Sequence, residues 1–299
     1  MFPWRTTLKC LGLFSIILLS MSAASQQQPV AVTPQDEKEN DRAIVADDFL
    51  KNRPWKSKSG PKKRPATYRR ATAATRSTGQ RKVQVGVTIW KLEPGPSVSS
   101  NGERSTRGNY WDRENWTPKR VEADVTFRAG DTLRISIETP RDGYLYVVNR
   151  DLLADGAYGE TNLIFPTKGE DNRLRVGKLI DIPAPDDPPF KAVPKADQSS
   201  ELLTIIVTTS PLQLPLGSKA IPISTNQLRE WEKQWGGETD RLEMNGGAGQ
   251  VRTLEEQLAA SPIESRQLTR EDPMPQTIFS LTPKNSEGLL FNLVLSYVR

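Results

Sequence analysis

One short stretch of the chain concentrates the side chains best suited to hold a ligand. Residues 109–118 place three aromatic rings beside two carboxylates, and these side chains are Tyr110, Trp111, Asp112, Glu114 and Trp116. Exposed rings stack on the apolar faces of sugars and peptides, and nearby carboxylates orient the ligand. A Trp between two strands also commonly closes the end of a β-sandwich. We predict these five as candidate ligand-binding residues, with structural packing as the alternative.

The residue types that are missing exclude most catalytic chemistry. The 299-residue chain has no His, and its only Cys is Cys10. Ser-His-Asp and Cys-His mechanisms, Cys/His zinc sites, haem ligation by His and intramolecular disulfides are therefore excluded. Acidic residues cluster in two loops, but their spacing does not match a calcium-binding loop. We predict no catalytic residue, no metal site and no cofactor, while carboxylate-dependent hydrolysis stays open as an alternative.

The N-terminus has the pattern of a secretory signal peptide. Arg5 and Lys9 precede a largely apolar run over residues 10–21, and small residues follow at 22–25. This run is shorter than the roughly 20 apolar residues that a membrane-spanning helix needs. We expect residues 1–25 to be cleaved, the mature protein to be secreted or periplasmic, and no transmembrane segment to remain. Retention of the run as an anchor is the alternative.

A basic arm precedes an acidic body. Residues 51–82 carry twelve Lys and Arg side chains and no Asp or Glu, whereas residues 83–299 have a net charge of −5. Such an arm is attracted to anionic lipid headgroups or acidic wall polymers. The candidate residues for binding an anionic surface are Lys62, Lys63, Arg64, Arg69 and Arg70. A solubilising linker is the alternative, and export makes nucleic acid an unlikely partner.

Beyond residue 81, apolar residues alternate with polar ones, which is typical of half-buried strands. Strands are predicted at about residues 83–90, 121–127, 133–137, 144–148, 162–165, 178–182, 201–208, 276–281 and 289–298. In the third strand, the apolar residues face inward and Arg134, Ser136 and Glu138 face outward. Many short strands separated by Pro and Gly turns predict a mainly-β fold, an antiparallel β-sandwich of the immunoglobulin-like class.

One insertion interrupts the strands with helix signals, at about residues 216–275. Ser224 can cap a first helix, and Thr253 with Glu256 forms a capping box for a second. The apolar stripe of the first helix consists of Leu228, Trp231 and Trp235.

The chain therefore divides into segments of different character. Residues 1–25 are the signal peptide, and residues 26–81 are a linker that leads into the polybasic arm of residues 51–82. The linker has almost no periodic apolar residues, so we expect it to be disordered. Residues 82–299 form the β-sandwich domain, which contains the helical insertion.

Six segments of the predicted sandwich resemble, in the same order, the bacterial domain of unknown function 4384. They are residues 85–90, 127–135, 142–150, 163–166, 182–183 and 203–206. The most specific are the Phe-x-x-Gly-Asp turn and the Asp-Gly-Tyr-Leu-Tyr strand. The resemblance covers about residues 83–210. It implies a β-sandwich accessory domain of bacterial envelope or secreted proteins, often attached to kinase or peptidase modules, and it supplies no catalytic residue.

Three functions fit these observations. The leading hypothesis is a non-catalytic binding or accessory module that contacts an envelope component or a partner protein. A His-free hydrolase of polysaccharide or peptide, using carboxylates near the aromatic loop, is the first alternative. The second is a structural component of an envelope assembly that associates through an exposed sheet edge.

Overall fold

The computed structural model describes residues 34–56, 82–95, 116–263 and 266–298. The helices in this part of the chain are α1 (Pro34–Leu50), α2 (Thr225–Trp235) and α3 (Leu254–Ala260). The first strands are β1 (Val83–Pro94), β2 (Trp116–Val121), β3 (Thr126–Phe127), β4 (Thr132–Glu138), β5 (Gly143–Leu153), β6 (Tyr158–Phe165) and β7 (Arg173–Leu174). The remaining strands are β8 (Ile180–Ile182), β9 (Phe190–Lys191), β10 (Gln198–Thr208), β11 (Ile221–Pro222), β12 (Glu238–Glu243), β13 (Thr277–Thr282) and β14 (Gly288–Tyr297).

The strands form two sheets. Sheet A has the order β12-β13-β1-β4-β8, with β2 also paired to β1 and β9 to β4. Sheet B has the order β11-β6-β5-β10-β14-β3, with β7 paired to β5. Neighbouring strands are antiparallel except for β3, which lies parallel to the end of β14. The predicted mainly-β sandwich is confirmed, and the parallel pair is an addition to the predicted antiparallel arrangement.

The core lies between the inner faces of the two sheets. Val87 and Ile135 of sheet A belong to one buried cluster with Val147, Ile205 and Phe291 of sheet B. Each of these side chains is at most 3% exposed. Alternate residues along each strand point into this layer, so the period of two in the sequence places the apolar set inward. Burial of this apolar surface is the main contribution to the stability of the sandwich.

The predicted second strand is wrong in its extent. Residues 121–127 were expected to form one strand, but β2 ends at Val121 and belongs to sheet A, whereas β3 belongs to sheet B. The backbone N–H of Val125 donates to the carbonyl of Glu122 in the turn between them. The chain turns here and passes from one sheet to the other. The apolar pattern of the sequence is interrupted for only a few residues at this turn, so it does not show that the strand ends.

The insertion contains both predicted helices. Ser224 Oγ accepts a hydrogen bond from the N–H of Gln227 at 3.1 Å and caps α2. Thr253 and Glu256 form the predicted capping box at the start of α3. The same insertion also contains β12, which the sequence analysis missed because its residues are polar and mostly exposed.

Different layers cover the outer faces of the two sheets. On sheet B, α2 packs Leu228, Trp231 and Trp235 against Tyr146 and Ile206. On sheet A, the even residues of β4 do face outward, as predicted, but they are buried: Arg134, Ser136 and Glu138 are at most 2% exposed. The covering layer on this side comes from residues 45–53, α3 and residues 266–276.

The prediction of disorder over residues 26–81 needs correction for residues 34–56. Residues 34–50 form α1, and Phe49 and Arg53 are buried against sheet A. A Cβ atom on Gly86 of β1 would lie 2.9 Å from the Phe49 ring, so this segment depends on a glycine beneath it. The segment is ordered by tertiary contacts rather than by its own apolar periodicity, which is why its sequence gives little sign of it.

Candidate functional site

The layer over sheet A is built from paired charges. We call it the buried ionic layer, and its members are Arg53, Arg120, Arg134, Glu138, Asp181, Arg252 and Glu256. Arg53 donates to both carboxylate oxygens of Glu138, at 2.7 and 2.6 Å. Arg252 donates to both oxygens of Asp181, at 2.7 and 3.2 Å. Arg120 pairs with Glu256. Each acid in the layer therefore has its own arginine.

Trp90 of β1 lies at the centre of this layer. The guanidinium groups of Arg120 and Arg252 lie 5.2 and 5.4 Å from its ring centroid. Its indole N–H donates to Ser136 Oγ at 2.7 Å, and Ser136 in turn donates to Asp181 at 2.6 Å. Cation–π contacts and hydrogen bonds thus connect the pairs into one network.

Burial dominates the electrostatics of the layer. It raises the pKa of Glu138 despite the adjacent Arg53, and it lowers the pKa of Arg120. Burial also lowers the pKa of Arg134 to about 10, so this arginine stays charged at neutral pH. A cavity beside Glu138 and Glu256 measures about 10 Å³, which is room for about one water molecule. In the described part of the chain, the layer is therefore tightly packed at this point and acts as a structural element.

A much larger opening lies at one side of the sandwich. We call it the edge groove: it runs between α2, β12 and β14 and has a volume of about 820 Å³. Its charged lining consists of Arg150, Arg229, Glu232, Glu238, Arg241 and Lys284. Four basic side chains and two acidic ones give the groove a positive balance, although residues 83–299 as a whole are acidic.

Arg150 is held rigidly in the groove wall. Its guanidinium donates to Glu232 at 2.8 Å and lies 4.6 Å from the centroid of the Tyr158 ring. Lys284 donates to the carbonyl of Lys233 at 3.1 Å, near the C-terminal end of α2, where a cation is favourable. Arg229 is exposed and pairs with no acidic group among the described residues. The groove thus combines fixed basic groups with a basic group available to an incoming anion.

The groove is bordered by the backbone of two strands, β14 of sheet B and β12 of sheet A. β14 pairs with β10 along one side. On its other side, β3 pairs only at Ser296 and Tyr297, and Gly236 forms an isolated bridge to Leu290. No strand in the described ranges pairs with that side of β14 between residues 291 and 295. β12 is likewise the edge of sheet A. Unpaired strand edges are templates for an added strand.

Glycine permits the close approach that shapes the groove. A Cβ atom on Gly237, between α2 and β12, would lie 2.3 Å from the carbonyl oxygen of Thr282. Any other residue would push the start of β12 away from sheet A. The position of the groove wall therefore depends on this glycine.

Most of the predicted site residues lie outside the described ranges. These are Tyr110, Trp111, Asp112 and Glu114 of the aromatic stretch, and Lys62, Lys63, Arg64, Arg69 and Arg70 of the basic arm. Trp116 is described: it is half-buried, begins β2 and packs against Trp90 and Leu92. None of the predicted residues lines the edge groove.

The groove residues could not have been selected from the sequence. Arg150, Arg229, Arg241 and Lys284 are spread over more than 130 residues and stand in no motif. Only the order of the strands and the docking of α2 bring them together. A local signal near the groove is the pair Gly236-Gly237, where the chain crosses from α2 to β12.

Other site types find no support in the described part of the chain. No group of three or more acidic, His or Cys side chains there could hold a metal ion. No helix within the same ranges is both long and apolar enough to cross a membrane.

Together, the fold and the groove define a β-sandwich module with an open, basic edge. Residues 126–211 match the family model described as Domain of unknown function (DUF4384), which supports the family resemblance seen in the sequence. The match begins at β3 and ends just after β10, and it includes Arg150 and Tyr158 of the groove but not α2 or β12. No curated protein and no solved structure matches the chain.

Proposed function

We propose that this protein is a non-catalytic binding module that holds an extended, acidic segment of a partner protein in the edge groove. The observation that carries the proposal is the side of β14 between residues 291 and 295 that no described strand pairs with, and whose Phe291 and Asn292 line the groove. An extended peptide placed there would pair its backbone with β14, because an edge strand offers unpaired N–H and C=O groups.

The charges of the groove support an acidic occupant. Arg229 and Arg241 have exposed side chains, and Arg241 has only loose ion pairs, with Asp124 at 3.4 Å and Glu243 at 3.7 Å. Carboxylates of an added strand would meet these guanidinium groups, which bind carboxylates in a bidentate manner. Charge complementarity of this kind sets the choice of partner and its rate of association more than the affinity.

We also propose that the protein acts outside the cytoplasm, as a secreted or periplasmic module. The support is the signal-like pattern of residues 1–25 and the absence of any thiol beyond Cys10. In this setting the polybasic arm would add contact with an anionic envelope surface. N-terminal sequencing of the protein from the exported fraction tests the first point: a start near residue 25 is expected, and an intact Met1 in the cytosolic fraction contradicts it.

The groove is tested with a labelled ten-residue peptide of alternating Glu and Val, measured by fluorescence anisotropy. We expect Arg229→Glu combined with Arg241→Glu to weaken its binding about tenfold or more. Arg175→Glu is the matched control, because Arg175 is exposed, lies outside the groove and has only a 4.0 Å pair with Asp171. The polybasic arm is present in every variant. Its attraction for the peptide is therefore the same in all of them and does not contribute to the differences in affinity.

A second pair of probes separates strand pairing from charge alone. The same peptide with alternate amides N-methylated keeps its charges but loses its backbone donors. We expect it to bind much more weakly than the parent peptide. Equal binding of both peptides, or equal binding of polyphosphate of matched charge, overturns the proposal of an added strand and leaves a general anion-binding surface.

A further inference from the structure

A separate cavity lies inside one end of the sandwich and shares no residue with the edge groove. We call it the core-end cavity; its volume is about 110 Å³. Its apolar walls include Leu133, Phe190 and Ala192 from the sheet A side and Leu203 and Leu295 from sheet B. This space is larger than a single water molecule needs, and its walls are partly apolar and partly polar. A small organic group is the occupant that such walls favour.

Three polar side chains of sheet B also line the cavity: Asn149, Glu201 and Tyr297. Leu203 is the register partner of Asn149, and Leu295 is the register partner of Glu201. Glu201 is therefore the diagonal neighbour of both Asn149 and Tyr297 on the same face of the sheet. Diagonal neighbours lie about 7–8 Å apart, close enough for one small group to contact two of them.

The hydrogen-bonding capacity of these groups is only partly used. The Tyr297 hydroxyl lies close enough to the Glu201 carboxylate for the two to interact, and Gln198 also interacts with Glu201. Asn149 Oδ1 is buried and has no hydrogen-bond partner. Glu201 is half-buried and forms no ion pair with any described residue. The nearby carboxylate of Asp151, by contrast, pairs with Lys195. Among the described residues, therefore, no cationic side chain forms an ion pair with the oxygen acceptors of the cavity.

The pKa shifts agree with this geometry. Burial raises the pKa of Glu201, and the neighbouring Asp151 adds to the effect. Burial and the Glu201 carboxylate together raise the pKa of Tyr297, so the phenol keeps its proton and its O–H is available as a hydrogen-bond donor. A cation at this point would offset the cost of burying the carboxylate. Lys191 also lines the cavity, but its side chain is exposed to solvent.

We propose that the core-end cavity binds a small organic cation: a primary ammonium group on a short alkyl chain or a single ring. The ammonium lies between the Glu201 carboxylate and Asn149 Oδ1, and the apolar body packs against Leu203 and Leu295. An anionic ligand is disfavoured there by Glu201. A purely apolar ligand would leave the buried Asn149 oxygen without a partner.

The test uses n-butylamine, which is cationic at neutral pH, with 1-butanol and butyrate as matched probes in calorimetric titrations of the mature chain. We expect butylamine to bind about tenfold or more tightly than butanol, because a hydrogen bond to a charged group is stronger than a neutral one, and butyrate not to bind. Equal affinities for the amine and the alcohol, or no binding by the amine, overturn the proposal.

Two variants locate the site. Glu201→Gln keeps the size of the side chain and removes the charge, so the preference for the amine over butanol is expected to disappear. Ala192→Leu fills the cavity and is expected to abolish binding of both probes, with thermal unfolding confirming that the variant is folded. Asp155→Asn removes an exposed carboxylate outside the cavity and serves as the control. Unchanged amine binding in Glu201→Gln contradicts the proposed site.

Discussion

The two outer faces of this sandwich are covered in opposite ways. On sheet B, the stripe of α2 packs Leu228, Trp231 and Trp235 onto an apolar surface, with the two indole rings 6.2 Å apart. On sheet A, the buried ionic layer does the same task with paired arginines and carboxylates. Both layers exclude water from a sheet. The two faces therefore differ only in the kind of contact, apolar packing on one and ion pairs on the other.

The difference lies in how specific each contact must be. Apolar side chains of similar volume replace one another with little loss, because the hydrophobic effect has no direction. A buried charge, however, depends on one partner in one geometry, and the removal of that partner leaves an uncompensated charge. The layer over sheet A therefore restricts the sequence far more than α2 does, and it fixes which segments can dock there.

The largest expected effect is at the ion pair of Asp181 and Arg252, whose side chains are 0% and 3% exposed. Asp181→Ala leaves Arg252 buried without its carboxylate and should lower the free energy of unfolding by about 3–5 kcal/mol. Urea denaturation measures this change in the free energy of unfolding. Replacing both partners, with Asp181→Leu and Arg252→Met, should recover most of the loss. A double variant as unstable as the single one contradicts the argument.

An exposed pair provides the control for that experiment. Lys82 and Asp240 lie 2.5 Å apart, and both side chains are 58% exposed. Asp240→Ala should change the free energy of unfolding by less than about 1 kcal/mol, since exposed pairs contribute little. A comparable loss at both pairs would show that burial is not what makes the Asp181 pair important.

A smaller loss is expected on the apolar face. Leu228 is 1% exposed beneath α2. Leu228→Ala should cost about 2–4 kcal/mol through the lost contacts and the cavity left behind, whereas Leu228→Met should cost less than about 1.5 kcal/mol. Urea denaturation at pH 5 and pH 8 should give the same difference, because no titrating group is involved. A Leu228→Met loss as large as the Ala loss would mean that this face also needs one exact shape.

The smallest of the three effects, and the one that depends on pH, concerns Arg53 and Glu138. At about pH 4.5, Arg53→Ala should cost about 1–3 kcal/mol, because the buried Glu138 can then take up a proton and only the hydrogen bonds of the pair are lost. Burial already raises the pKa of Glu138 in the folded protein, and the loss of Arg53 raises it further. A folded-state pKa above that of the unfolded chain stabilises the fold at low pH, and this stabilisation is lost as the pH rises through the folded value.

The deficit of Arg53→Ala should therefore grow between about pH 4.5 and pH 8, by about 1.4 kcal/mol for each further unit of pKa shift. Urea denaturation at several pH values across this range measures the difference in unfolding free energy between the variant and the unaltered protein. Adding Glu138→Gln to Arg53→Ala should remove the pH dependence while keeping the rest of the loss. A deficit that is constant with pH would indicate that Glu138 is hydrated once Arg53 is gone.

Much of the sandwich could be predicted from local patterns. The inward residues of β4 were assigned correctly because side-chain direction alternates strictly along a strand. Both helices of the insertion were found from their caps and from the apolar stripe of α2. The turn that divides β2 from β3 was missed, and so was the polar edge strand β12, since an exposed strand carries little apolar signal.

Little of the candidate site could be predicted. Arg134, Ser136 and Glu138 were placed on the correct face of β4, but periodicity says only which face a residue occupies, not what covers that face. The groove and the core-end cavity depend on strand neighbours that are distant in the sequence. Glu201 meets Tyr297 only because β10 lies beside β14 in the observed register.

The amino-acid sequence by itself determined which chemistries are impossible, where strands and helices form and which residues enter the core, because these follow from residue type and local spacing. Tertiary structure alone decided that a polar face would be buried under paired charges, that Arg53 would belong to that layer, and that basic residues would meet beside an unpaired strand edge. Such features arise from strand order and from contacts between distant segments, and local spacing contains no information about either.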